Sequence, residues 1–410
     1  MYIVLQQHII CGIDIGNFAV KVVVGTSHAD SAQPQFLAAT ASFSRGLRKG
    51  TVVDPEEVIQ NIRSALQKAQ ALVGSPIESA YISVNGTHIG SLVSHGVIVA
   101  SRPDAEITQA DIDRLIDAAS TVSMSANREI IHRVPKNFII DGHEFVKSAL
   151  GMKGVRIEAD VLLIQGMAQY LHSLAQCVQA CGVDVSGLVY SPFALSQAVL
   201  DRHMREHGVI SLDLGETFST MSIFHEGDLA HAVTFPIGSR HLTYDLAVAL
   251  RIPMDRAEVL KCRSGSLQDF PPAETLDISE LTGEDGFVVP KRQISKILGA
   301  RVDELFDKVS DELKRVSFPH PLPCGIVLSG GGSKLNGILP YIRTRLNTSA
   351  HLGFAGAAPE DKNNPLHDPA FAVATGLVLY GLNHGNAEPQ GRMSRGWTKN
   401  AVRWLKHFMP

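Results

Sequence analysis

Ile9–Gly25 reads IICGIDIGNFAVKVVVG. An apolar strand runs into Asp14-Ile15-Gly16, turns, and leaves as a second apolar strand. The second half of the chain repeats this grammar at Gly208–Phe224, GVISLDLGETFSTMSIF, around Asp213-Leu214-Gly215. A third segment, Gly325–Ile338 (GIVLSGGGSKLNGI), predicts a strand ending in Gly330-Gly331-Gly332 ahead of a helix. Glycine at such points lets the backbone approach a phosphate and offer its N–H groups, because no Cβ stands in the way. One Asp-x-Gly is an ordinary hairpin turn, and for Asp14 or Asp213 alone turn formation is reason enough for the residue. The ordered set of three, each behind a strand, points to two similar α/β halves with a phosphate-bearing ligand between them.

Composition bounds the possibilities around this pattern. At 410 residues the chain has room for two or three domains with full cores. Hydrophobic residues are 45% and charged ones 19%, the balance of a packed protein rather than a disordered one. A net charge of -4 argues against a general nucleic-acid binder. No apolar run is long enough for a spanning helix. The opening MYIVLQQHII lacks a basic leader and a small-residue cleavage site, so it reads as a strand leading into the first motif. The 5 cysteines are scattered, which suits a reducing cytosol. Cys177 and Cys181 share a helical face, but no second pair stands at metal-ligand spacing, so core packing is expected and no metal site.

Asp54-Pro55 opens a helix toward Gly74, with Val58, Ile62, Leu66, Ala69 and Val73 on its apolar stripe. AYISVNG, at Ala80–Gly86, is the strand after it. The pattern then changes to a compact α+β block, 86–158, that interrupts the first half. The first lobe's core is thus expected at 1–85 and 159–186, the second's at 187–250 and 320–382, with a subdomain of the second at 251–319. Within that subdomain, 266–286 (SLQDFPPAETLDISELTGEDG) reads as a solvated acidic excursion, and a long helix follows from about Arg292 to Ser317. Residues 383–396 are polar and breaker-rich, a linker. Residues 397–409 are expected as an amphipathic helix. Trp397, Trp404, Leu405 and Phe408 share one face with Ala401, and Arg403 and Lys406 lie off it with Arg395 and Lys399. Both tryptophans of the chain are here. An aromatic stripe edged by basic residues and cut off from the core suits a helix lying in an anionic membrane surface.

The order of the three motifs resembles the actin-like ATPase fold: two similar lobes around a nucleotide cleft. With the inserted α+β block and the C-terminal amphipathic helix added, nearly the whole chain is similar to the FtsA family of bacterial cell-division proteins. SRGLRKGTVVD (44–54), AYISVNGTHI (80–89), HRVPKNFIIDG, LGMKGVRIEADVLLI and AFAVATGLVLYG (370–381) carry the likeness beyond the motifs. The resemblance implies ATP, with Mg²⁺, as a ligand. The nucleotide-site candidates are Asp14, Gly16, Asn17, Lys21, Asp213, Gly215, Glu216, Thr217, Gly238, Gly330, Gly331 and Gly332, with Glu258 and Lys261 from the family's ribose-side helix. It also implies self-association into filaments through the insertion, contact with other division proteins, and a peripheral place on the cytoplasmic side of the inner membrane at the septum. The second-half subdomain of the family receives the C-terminal peptide of FtsZ, which makes Arg301 and Glu304 the candidates there.

The chain departs from the family where phosphate would sit. Asn17-Phe18-Ala19 stands where the family usually has a hydroxyl and a lysine after Asp-Ile-Gly. Glu216-Thr217-Phe218-Ser219-Thr220 replaces a run with two glycines, a threonine and a second aspartate. Weak or no ATPase activity is the expectation. Two other readings share the core: an actin-fold pilus-assembly protein and an actin-fold small-molecule kinase. A kinase needs an aspartate base near the transferred phosphate, and only the two motif aspartates are available.

Overall fold

A computed structural model describes residues 9–27, 34–101, 106–121, 125, 127–143, 145–283, 286–316, 318, 322–355 and 365–384. The expected tail helix, with Trp397, Arg403, Trp404, Leu405, Lys406 and Phe408, and the expected linker from 385 on lie outside these residues; 383 and 384, expected in the linker, belong instead to the last described helix.

The first lobe opens with β1 (Ile9–Ile15), β2 (Ala19–Thr26) and β3 (Gln35–Phe43), followed by a small hairpin of β4 (Leu47–Arg48) and β5 (Thr51–Val52). Helix α1 (Pro55–Val73) starts where the sequence places it: the Asp54 carboxylate accepts from the Glu57 N–H, and Gly74 closes the helix at φ 76°. Val58, Ile62, Ala65, Leu66 and Ala69 are its buried face. β6 (Ser79–Val84) then joins the sheet beside β1.

The insertion comprises β7 (Gly90–Val99), α2 (Gln109–Ser120), β8 (Arg128–Ile140), β9 (Phe145–Val146) and β10 (Arg156–Met167). Its sheet runs in the order β7-β10-β8-β9, with α2 packed on one face through Leu115 over Ile157, Val161 and Leu163. The boundary expected at 158 falls inside β10. That strand pairs with β7 and β8 along its length, so the block continues to Met167. Its apolar run has no break at Glu158, and only the pairing shows which sheet it completes.

The chain returns through α3 (Ala168–Gln179) to β11 (Asp184–Tyr190), which pairs with β6. Helix α4 (Ser191–Val199) follows, then α5 (Arg202–His207), β12 (Val209–Leu214), β13 (Ser219–His225), β14 (Asp228–Phe235) and α6 (Ser239–Leu250). Next come α7 (Met254–Ser264), β15 (Thr275–Asp277), α8 (Ser279–Thr282), β16 (Val288–Pro290) and α9 (Lys291–Val316). The acidic excursion is therefore folded: β15 pairs with β16, and Ile278 is buried. β17 (Ile326–Ser329), α10 (Ile338–Leu346), β18 (Ala350–Leu352) and α11 (Ala372–His384) complete the described chain.

The two main sheets repeat one plan. The first runs β11-β6-β1-β2-β3 and the second β18-β17-β12-β13-β14. In each, the motif strand has an antiparallel partner on one side and a parallel one on the other. One large apolar core lies within the second lobe, and another, centred on the first lobe, extends to Val209, Phe224 and Val327 of the second. The assignment of 187–250 and 320–382 to the second lobe needs correction at both ends. β11 is hydrogen-bonded into the first sheet, and α4 and α11 pack with it. α11 is apolar all round, so periodicity could not say which core it enters. Glycines decide it: a Cβ on Gly376 would stand 1.8 Å from the Ala194 carbonyl oxygen, and one on Gly12 would stand 2.5 Å from that of Ala374.

Candidate functional site: a cleft between two matching turns

The strand ends that carry the three motifs meet in a cleft of about 820 Å³ between the lobes. Parallel pairing of β1 with β6 and of β12 with β17 brings these ends together, where open α/β sheets take their ligands. The first two turns are built alike. The Gly16 N–H donates to the Ala19 carbonyl and the Gly215 N–H to the Phe218 carbonyl, each at 3.1 Å.

Their electrostatics differ. Asp14 faces Lys21 directly across the β1–β2 ladder, with Nζ 3.0 Å from its carboxylate, and Ser83 Oγ donates to the other oxygen at 2.8 Å. The ammonium that the altered first motif lacks is thus supplied from the next strand. Asp213 has Thr220 at the equivalent ladder position, a neutral partner. Burial, reinforced by the Asp14 charge and only partly offset by Lys21, pushes Asp213 up to about 6.

The third turn is built around close approach. Gly330 takes φ 82°, and a Cβ there would stand 2.4 Å from Asp213 Oδ1 and 2.6 Å from the Leu214 carbonyl. Gly331 has open space before it. A short 3-10 turn, Gly331–Lys334, separates the glycines from α10, where the sequence pattern predicts a helix directly. Lys334 is paired with Asp368 at 2.8 Å.

The altered positions have their own partners. Asn17 Oδ1 accepts the Gly50 N–H at 3.1 Å, tying the β4–β5 hairpin to the first turn. Glu216 pairs with Arg240 at 3.1 Å, which offsets part of its charge. Its other carboxylate oxygen and the Thr217 hydroxyl are buried without a hydrogen-bond partner among the described residues. Of the two, only the Thr217 hydroxyl can donate to an anionic group in the cleft. Gly238 does not line the cleft. It caps α6 and packs behind the second turn, where a Cβ would lie 2.4 Å from the Glu216 carbonyl.

At the far end Glu258 and Lys261 of α7 pair at 2.7 Å, and the Lys261 ammonium also reaches Thr243 Oγ1 at 2.9 Å. Burial pushes the Glu258 carboxyl up, but hydrogen bonds from Lys261 and Thr243 outweigh it and hold the group below its ordinary value. Both line the cleft. Sequence reasoning missed Ser83, Asn85 and His88, although all lie within or beside the AYISVNG stretch. His88 lines the cleft with its ring edge-on to Tyr170 at 5.1 Å, held at about 4 by burial and the Arg128 charge.

Arg301 and Glu304 are elsewhere, on α9. The sequence reading makes both candidates for the FtsZ peptide; in the structure the Arg301 guanidinium grips Asp245 of α6 at 2.7 and 2.9 Å and also contacts Glu304. Helical spacing shows which face a residue takes but not what stands opposite. Among the described residues no cluster of His, Cys, Asp or Glu could hold a metal ion, and no helix is long and apolar enough to cross a membrane. Cys177 is buried, and the Cys181 thiol donates to its carbonyl at 3.4 Å.

Paired lobes of this kind recur in solved structures. The PilM-PilN type IV pilus biogenesis complex matches with a TM-score of 0.66 at 16% identity, covering 91% of this chain and 98% of that one. MreB5 of Spiroplasma citri, solved bound to ADP, matches at 0.54 and 12% identity, covering 94% and 99%. At these identities the likeness shows the fold alone, and that fold, with its cleft between matched turns, is actin-like. The sequence carries the comparison further. The family model described as Cell division protein FtsA matches residues 210–376, and that of the SHS2 domain inserted in FtsA matches 86–165. The cell division protein FtsA of Pseudomonas aeruginosa is 34% identical over 375 residues, 91% of this chain and 89% of its own length. Those of Bacillus subtilis and Escherichia coli are 30% and 26% identical, covering 93% and 98% of this chain and 84% and 98% of their own. The chain belongs to the FtsA family of cell division proteins.

Proposed function

We propose that the protein is an actin-like adaptor that tethers FtsZ filaments to the cytoplasmic face of the membrane at the septum and helps recruit other division proteins. ATP acts as its assembly ligand. The observation that carries the ligand is the third turn: Gly331 has open space before it, and the buried Thr217 hydroxyl lining the same cleft has no protein partner among the described residues. ATP bound with Mg²⁺ would bring a triphosphate to that turn. The backbone N–H groups of Gly331 and Gly332 would hold it, that of Gly330 being given to the Pro369 carbonyl, while Lys21 would supply the positive charge and Glu258 with Lys261 would meet the ribose side. Asp14, Gly16, Asn17, Gly215, Glu216 and Thr217 complete the phosphate end.

Glu216 makes this pocket less positive than a phosphoryl-transfer site requires, which favours binding over turnover. Family membership supports self-association into filaments and contact with the FtsZ peptide on the α9 face. Since Arg301 already grips Asp245, the more exposed Glu304 is the cleaner probe of that surface. The tail at 397–409 supplies the membrane contact through Trp397, Trp404, Leu405 and Phe408, flanked by Arg403 and Lys406. Flotation on anionic vesicles, with the full chain and a version ending at 394, tests the tether. Equal flotation of the two rejects it.

A further inference from the structure

The cleft floor holds a polar seam that no part of the nucleotide reading uses. Asn85, at the end of β6 in the first lobe, donates through Nδ2 to Thr220 Oγ1 of the second lobe at 3.0 Å. Its Oδ1 lies 3.5 Å from the Thr234 hydroxyl, and the two threonine hydroxyls lie 3.3 Å apart. The Tyr190 N–H donates to His132 Nε2 on β8 of the insertion at 2.9 Å. Hydrogen bonds thus join the second lobe to the first at Asn85, and the first lobe to the insertion at Tyr190.

The seam touches both carboxylate turns. Ser83, two residues before Asn85, holds Asp14, and Thr220 is the ladder partner of Asp213. An apolar seam slides at small cost, whereas buried polar groups are satisfied only in one alignment. A second contact follows the same route. β13 leaves the second turn at Ser219 and ends at the 226–228 hairpin, and there the insertion rests on it: Lys147 Nζ donates to the Glu226 carbonyl and Lys136 Nζ to the Ala230 carbonyl at 3.3 Å.

We propose that the seam centred on Asn85 is an interlobe latch, which fixes the spacing of the two carboxylate turns and passes any change in cleft opening to the inserted block. Hydrogen exchange on the full chain without ligand tests it, using Asn85→Ala, Thr220→Val and the double variant. Thr220→Val keeps the volume of the side chain, so it reads loss of the hydroxyl without a cavity. Each single variant should speed exchange roughly tenfold, the equivalent of about one net hydrogen bond. The faster amides should include 219–221 and also 132–139 and 145–146 in the insertion. The double variant should add little to either. No change, a change confined to 219–221, or additive effects overturn the latch. The measurement needs no nucleotide, so a failure of ATP to bind would not alter its outcome.

Discussion

Replacing Asp213 with asparagine should stabilise the unliganded protein at neutral pH, and the structure sets the size of the effect. Asp213 is half-buried at the cleft, faces Asp14 and lacks a counter-ion of its own, and desolvation raises its pKa from 3.8 to about 6. At about 1.4 kcal/mol per pKa unit, keeping it charged at pH 7 costs the folded state about 3 kcal/mol. The sign follows from proton uptake. Between 3.8 and about 6 the folded state binds more protons than the unfolded one, so its stability falls as pH rises through that window. Below the window the carboxyl is neutral in both states and the cost vanishes. Asparagine keeps the shape and cannot ionise. Urea unfolding of the two proteins at intervals from about pH 4 to pH 8 should show curves that coincide at the acid end. They should separate by about 3 kcal/mol at the neutral end, with the variant the more stable. The difference between the proteins cancels other titrating groups, such as His132, which burial lowers to about 3. A variant that is less stable at neutral pH, or a gap that persists at pH 4, refutes the account of the second turn.

The remaining predictions concern binding and tethering. Glu216→Gln should free Arg240 and tighten ATP by about 1 kcal/mol, more than it tightens ADP, by calorimetry; weaker ATP binding would count against it. Steady-state turnover of ATP by the unmodified protein should fall below about 1 per second, the low end of ordinary enzyme rates, and a faster rate would restore a catalytic reading. Arg301→Ala should lower stability to urea by about 1 to 3 kcal/mol, because it leaves Asp245 without its partner between α6 and α9. An unchanged midpoint would return Arg301 to the solvated surface. Trp404→Glu should release the full chain from anionic liposomes while circular dichroism stays the same, since each basic residue of the tail adds only about 1 kcal/mol by itself.

The three motifs, their order and the strands ahead of them were legible in the sequence. A strand, a tight turn and a glycine approach depend on residues within a few positions of each other. So were the start of α1 at Asp54 and the inserted block, for the same local reason. Other features depended on partners far along the chain. Lys21 supplies the missing ammonium because ladder register sets it against Asp14, and Arg301 is not free because Asp245, 56 residues away in sequence, stands opposite. α11 entered the first lobe because Gly12 and Gly376 admit it there, a steric fact between segments that composition does not encode. Asn85 fell within the AYISVNG strand and drew no attention there, and only the meeting of two lobes gave its amide two hydroxyls to bind. Sequence alone determined which local shapes the chain could take; tertiary packing decided which charges and hydroxyls those shapes would face, because a side chain's energy is set by neighbours that the backbone brings from elsewhere.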